Sequence, residues 1–246
     1  MPTWTGRSFD KPPLRKHQRY AQALVMRDTE FFSNFFVVTD PASKKSFRGQ
    51  FDNEVGEFGQ ILRNELEVTR LSVRYLDGGR EPGTLFWNTV CDPFCLSNDI
   101  LDILVSNGIT GWSAVPATVT DKNENKWKNY SALTISGRAD AVDYLESDIT
   151  CNNFPGGLYP YFKGLYFKPD SWDGSDIFMS RADKFGKITT FIYVTSKFVN
   201  AFNRAKIKNI RFVNFNDFQV SCETIIIGST DEYVTKLQDK ITKASA

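Results

Sequence analysis

Histidine is almost missing from this sequence. The one copy, His17, stands among polar and basic neighbours in the opening segment, so Ser–His or Cys–His nucleophilic catalysis would have to rest on it alone. No serine or cysteine stands in a nucleophile-elbow sequence, which sets that hydrolase class aside. Net charge is nearly missing too, with thirty basic side chains against twenty-nine acidic ones. A chain whose main task is to neutralise nucleic-acid phosphates over a broad surface would carry a positive excess. Long apolar runs are lacking as well. The opening MPTWTGRSFDKPPLRK holds no apolar core of a signal peptide, and no later stretch reaches the roughly 20 apolar residues of a membrane span. The expectation is a cytoplasmic protein.

Cysteine is scarce and scattered. Cys91 and Cys95 form one loose pair, while Cys151 and Cys222 are isolated. A structural zinc site announces itself by two tight pairs, so reduced thiols are expected here, with no metal and no cofactor. Gly156-Gly157 lacks the lysine and following serine or threonine of a phosphate-binding loop.

What the chain does have is a core and a repeat. With 246 residues and 41% apolar content it can bury a full interior. One compact domain over 1–246 is expected, with an N-terminal subregion 1–80 and a core repeat region 81–246. Most of Leu96–Val115 is written twice: shifted by about ninety-eight positions, Val194–Val213 lies on it without a gap. Ile100 and Leu101 meet Phe198 and Val199, Leu104 meets Phe202, Ile109 meets Ile207, and Trp112 meets Ile210. In each copy a cap (Ser97 or Asn98, Thr195 or Ser196) precedes apolar residues at helical spacing, then a turn and a strand. Gly108 suits the left-handed residue that ends the first helix. Two copies are too few and too distant for a solenoid, so they are read as related units of one globule.

The capped helix, the Gly-Ile-Thr-Gly-Trp turn at 108–112, the segment Asn129–Asp143 (NYSALTISGRADAVD) and the run Asp176–Asp217 resemble bacterial polymorphic-toxin immunity proteins. That family includes relatives that protect myxobacteria against their own exchanged toxins. The likeness covers about half the chain, mostly Phe86–Asp217, in patterns of hydrophobicity and turn residues. The two Cys-x-x-Cys-Gly motifs of one branch are missing, so that branch's metal site is not carried over. The resemblance implies a non-enzymatic partner of one cognate protein toxin, the product of a neighbouring gene, neutralised by stoichiometric occlusion.

Along the rest of the chain, Ala21–Met26 and Phe31–Thr39 read as strands. Phe58, Ile61, Leu62 and Leu66 suggest a short helix, and Leu71–Tyr75 a strand. Leu85–Val90 reads as a strand, and the exit strand of the first unit should pair with Tyr130–Ser136 across the polar turn Asp121–Asn125. Asn152–Phe162 looks like a loop, because Pro155, Gly156, Gly157 and Pro160 interrupt a ladder. Strands follow at Ile177–Ser180, Ile188–Val194, Ile210–Phe215 and Glu223–Ile227. Thr230 can cap a final helix with the apolar stripe Tyr233, Val234, Leu237 and Ile241. The fold class is α+β: an antiparallel-rich sheet, two related strand–helix–strand units and a C-terminal helix.

Glu54 with Glu57, and Asp140, Asp143, Glu146 and Asp148, are the carboxylate clusters. An enzyme acting on a nucleotide or glycan would need them gathered in one concave site. A nucleic-acid-binding module would need Arg7, Lys11, Arg15, Lys16, His17 and Arg19 to join a stripe with exposed aromatics; a solvated arm is the plainer use. Tyr159, Tyr161 and Trp172 are rigid side chains of the kind that anchor interfaces, and they follow the acidic run. The candidate partner-binding set is therefore Asp140, Asp143, Glu146, Asp148, Tyr159, Tyr161 and Trp172, suited to a basic partner. The other reading is that these aromatics cover the sheet.

Overall fold

The structure, a computed structural model, describes residues 29–52, 58–89, 93–154, 157–183, 189–222 and 232–244. His17 and its basic neighbours, the expected strands Ala21–Met26 and Glu223–Ile227, Glu54, Glu57 and Cys91 lie outside the described residues. In chain order the elements begin with α1 Thr29–Phe32, β1 Phe35–Thr39, β2 Arg48–Phe51, α2 Phe58–Leu62, β3 Leu71–Asp77 and β4 Leu85–Phe86. The first repeat unit follows as β5 Cys95–Ser97, α3 Asn98–Ser106, β6 Trp112–Thr120 and β7 Lys126–Ile135. Next come β8 Gly137–Ala139, β9 Asp148–Phe154, β10 Gly157–Lys163 and β11 Ile177–Ser180. The second unit is β12 Ile192–Thr195, α4 Ser196–Arg204 and β13 Arg211–Asn214, followed by β14 Gln219–Ser221 and α5 Glu232–Ala244. The fold is α+β, its strand pairs mostly antiparallel, with a C-terminal helix.

The repeat holds down to backbone register. α3 and α4 begin at Asn98 and Ser196 and end at Ser106 and Arg204, the same offset of 98 at both ends. Left-handed residues follow at matching places, Gly108 with Lys206 and Gly111 with Asn209. Each unit is also larger than the strand–helix–strand read from sequence. In the first, the order β6-β7-β5-β4 sets Val115, Ala132 and Cys95 side by side. In the second, β13-β1-β12-β11 sets Val213, Val37 and Tyr193 side by side. The slot filled by β7 in one unit is filled by β1 in the other. Within the stretch expected as an N-terminal subregion, β1 completes the second unit while β2 and β3 extend the first.

The first unit's sheet, β2-β3-β6-β7-β5-β4, closes into a barrel where Arg48 bridges Trp87 and Gly49 N–H donates to Trp87 O at 3.0 Å. The second forms the five-stranded sheet β13-β1-β12-β11-β8, beside the three-stranded sheet β14-β10-β9. Strands at the centre bury both faces, which is why they read as unbroken apolar runs. Ile177 and Met179 enter the cluster between the units, whereas Phe178 turns to the opposite core. That central cluster takes Ile100 and Leu104 from α3 and Phe198, Ala201 and Phe202 from α4. Each unit also reaches into the other through its turn: Ile177 N–H donates to Thr110 O at 3.0 Å, and Asn209 Nδ2 donates to Leu85 O at 3.2 Å. Leu85 and Ile177 hold equivalent places on β4 and β11.

Three expectations need correction. Ser97 and Thr195 are the N-cap residues, but neither side chain caps its helix. Thr195 Oγ1 instead donates to Asp176 Oδ1 at 2.9 Å, and Ser97 Oγ is buried without a partner among the described residues. Phe31 and Phe32 belong to a helical turn rather than to the strand. A turn brings both rings onto Phe35, at 5.0 and 6.2 Å between centroids, where an extended chain would send neighbours to opposite faces. Most of Asn152–Phe162 is strand rather than loop: β9, ending at Phe154, pairs with β10, beginning at Gly157, with Tyr161 opposite Thr150 and Tyr159 opposite Asn152. Pro160 is tolerated because the β14 pairing covers only Tyr161–Lys163, leaving the proline paired on the β9 side alone.

Candidate interaction surface

Sheet β14-β10-β9 turns one face to the core and the other outward. Phe162 points inward, fully buried, with its ring 5.1 Å from that of Tyr144. Alternation then sends Tyr159, Tyr161 and Lys163 outward. Directly opposite residues share a face, so Asp148, Thr150 and Asn152 of β9 and Gln219 and Ser221 of β14 join them. Asn152 Nδ2 donates to Gln219 Oε1 at 3.1 Å, linking the side chains of the two outer strands. Lys163 Nζ lies 3.3 Å from Asp217. Tyr159, 37% exposed, is one of the few large apolar side chains turned to solvent. The face thus carries two tyrosines, one carboxylate, one ammonium and several amides and hydroxyls, backed by an aromatic core.

Three of the seven candidate residues, Asp148, Tyr159 and Tyr161, share this face; the others do not converge on it. Asp140 is 3.1 Å from Arg181, and its backbone N–H meets Ser171 Oγ at 3.0 Å. Asp143 Oδ1 accepts from Leu145 N–H and from the Tyr233 hydroxyl, each at 3.0 Å. Burial, then the neighbouring Asp143 carboxylate and the bond to it, push the Tyr233 phenol well above its ordinary range. Glu146 is half-buried in the turn where its N–H meets Asp143 O. Trp172 stacks edge-on against Phe35 at 5.0 Å, and its Nε1 donates to Ser175 O. It covers the core.

No protein-family model matches the chain, and no curated protein matches it.

The acidic run has a structural occupant. Tyr233 and Lys240 of α5 reach it together, the hydroxyl on Asp143 and on Tyr144 N–H, the ammonium on the carbonyls of Leu145 and Ser147. Val234 and Leu237, on the same helix, are buried. The segment therefore serves largely as the seat of the C-terminal helix. No sequence signal marked this, because the two partners are about ninety residues apart.

Two carboxylates outside the candidate set organise their surroundings. Asp176, 7% exposed, accepts from Thr110 N–H and Oγ1, Thr195 Oγ1 and Lys197 Nζ at 2.9 to 3.2 Å. It ties the turn of the first unit to the helix start of the second. Asp121 accepts from the backbone N–H groups of Asn123 and Asn125, from Asn125 Nδ2 and from Trp127 Nε1. Cys95 lies in the barrel core, apart from Cys222, which lies in the core under β10 close enough to the Cys151 thiol to feel it. Burial pushes Cys222 up to about 12, so it stays a thiol. Among the described residues, no group of three or more histidine, cysteine or acidic side chains could hold a metal ion.

Proposed function

We propose that this protein is an immunity protein that binds one cognate bacterial toxin and blocks its working surface stoichiometrically. The observation that carries the reading is the outward face of β9-β10-β14, where Tyr159 and Tyr161 stand together on a rigid sheet. Tyrosines with two rotatable angles offer contact area at small entropic cost, and they anchor protein interfaces more often than most residues. The resemblance of the repeat region to toxin-immunity proteins points the same way. The protein acts in the cytoplasm of the producing cell, needs no cofactor, and meets a toxin that is basic at the contact. Among the described residues no helix is long and apolar enough to cross a membrane.

Binding kinetics against the toxin encoded beside this gene test the reading. Tyr159→Ala or Tyr161→Ala should speed dissociation, by about 2 kcal/mol in affinity if the residue is a central anchor. Asp148→Asn should slow association and flatten its salt dependence, because charges at an interface rim act mainly by steering. Asp143 is left intact, since its loss would loosen α5. If the neighbouring toxin is not bound, the immunity reading fails; if it is bound and all three variants match wild type, this face is not the interface.

A further inference from the structure

Where the two units meet, the fold leaves a cleft of about 410 Å³. Trp87, Leu62 and Leu76 come to it from the barrel side, and Val38, Phe191 and Ile192 from the second unit. Trp87 is pinned, its Nε1 donating to Asn209 O at 2.7 Å, so the polar edge of the indole is already used. Charge enters through Asp40, Arg48 and Asp77. Arg48 Nη2 bonds Asp40, while its Nε stays 3.8 Å from Asp77, beyond hydrogen-bond range. Asp77, with a side chain 65% exposed, keeps its acceptor capacity. One guanidinium between two carboxylates leaves the site one net negative charge.

The fold does not require this hollow. Across the internal repeat, Arg48 corresponds to Arg138, Asn88 to Ser180 and Asp40 to Ile135. There the side chain of Arg63, 6% exposed, donates to Ser180 O at 3.0 Å. Arg138 donates to Ile135 O at 2.7 Å and also to Arg63 O. The same architecture is thus filled by two arginines on one side and left open on the other. An open, mostly apolar cleft of this size with a few convergent polar groups is what small-ligand sites look like.

We propose that this cleft binds an apolar, preferably aromatic, body carrying one positive charge, the body against Trp87, Val38 and Ile192 and the charge at Asp77. The Trp87 indole favours a cation over its face, and the net negative charge disfavours an anion. The same chemistry is offered by a free small amine or by an aromatic–basic segment of a protein. None of the lining residues belongs to the Tyr159 and Tyr161 face, so occupancy of the cleft is independent of the toxin reading.

The test is NMR titration of the full chain with phenethylamine, 3-phenylpropionate and the capped dipeptide N-acetyl-Phe-Arg-amide. The readout is the Trp87 indole N–H resonance, assigned with Trp87→Phe. The proposal expects saturable shifts with the two cations and about tenfold weaker binding of the anion. Asp77→Asn, at an exposed position, should weaken the cations about threefold to tenfold with the rest of the spectrum unchanged. Leu76→Trp, which fills the cleft from an exposed position, should abolish the shifts. Tighter binding of the dipeptide identifies a protein segment as the source, and tighter binding of phenethylamine a free amine. Absence of saturable shifts with both cations, equal affinity for the anion, or full affinity in Leu76→Trp overturns it.

Discussion

Single side chains in this protein decide whether turns and junctions hold. Asp121 is 1% exposed, yet it stays charged. Burial pushes its carboxyl up, but the bonds from Trp127, from the Asn125 side chain and from the backbone of Asn125 and Asn123 outweigh this and hold it below its ordinary value. The sign of the linkage follows. A folded-state pKa below the unfolded one contributes stability that is present above the unfolded value, about 3.9 for an aspartate, and lost as pH falls through the folded value. Urea unfolding midpoints measured from pH 6 down to pH 3 should therefore drop in wild type below about pH 4, and drop less steeply in Asp121→Asn. Equal slopes would mean that the hairpin carboxylate is not coupled to folding. This residue was legible in sequence as part of a polar turn; its role was not, because the indole that completes the cage comes from β7 after the chain has turned back.

At the scale of elements, the two helix-ending turns are one design carried out with different residues. Gly108 and Lys206 both take the left-handed conformation, at φ 58° and 56°. A side chain there costs roughly 1 to 2 kcal/mol, partly offset by the extra freedom glycine has when unfolded. Lys206 is exposed, so Lys206→Gly should stabilise the protein by about 0.5 to 1 kcal/mol and raise Tm by roughly 2 °C. The next matched pair behaves differently. A Cβ at Gly111 would lie 2.1 Å from Ile177 O, whereas Asn209 reaches the equivalent carbonyl, that of Leu85, with its amide. Gly111→Ala should therefore lower Tm well beyond the effect of Gly108→Ala, which meets nothing nearer than Lys197 Nζ at 3.9 Å. Thermal melts of the three variants check both statements. The repeat was legible because caps, apolar spacing and turns are local; the carbonyl waiting at 2.1 Å belongs to another part of the chain.

At the scale of the molecule, the two units interlock. β1 supplies the central strand of the second unit, and both helices share one apolar cluster. Deleting residues 1–39 would strip β12 and β13 of their common partner. Such a chain is expected to lose near-UV circular dichroism and the hydrogen-exchange protection of Val73 and Val119 in the barrel, because the cluster between the units goes with it. Native protection of those barrel amides in the truncated chain would show two independent units.

The sequence by itself determined helices α2 to α5, the duplicated strand–helix–strand pattern and the hairpin across Asp121–Asn125, each of which rests on local spacing. Only the tertiary structure decided that β1 closes the second unit, that the proline-containing stretch at 152–162 is mostly strand, and that the acidic run seats α5. It also decided that Asp148, Tyr159 and Tyr161 share a face while Trp172 joins the core. Those outcomes depend on which distant backbone has free hydrogen bonds to offer and which apolar surface is left uncovered, and neither is written in any local stretch of the chain.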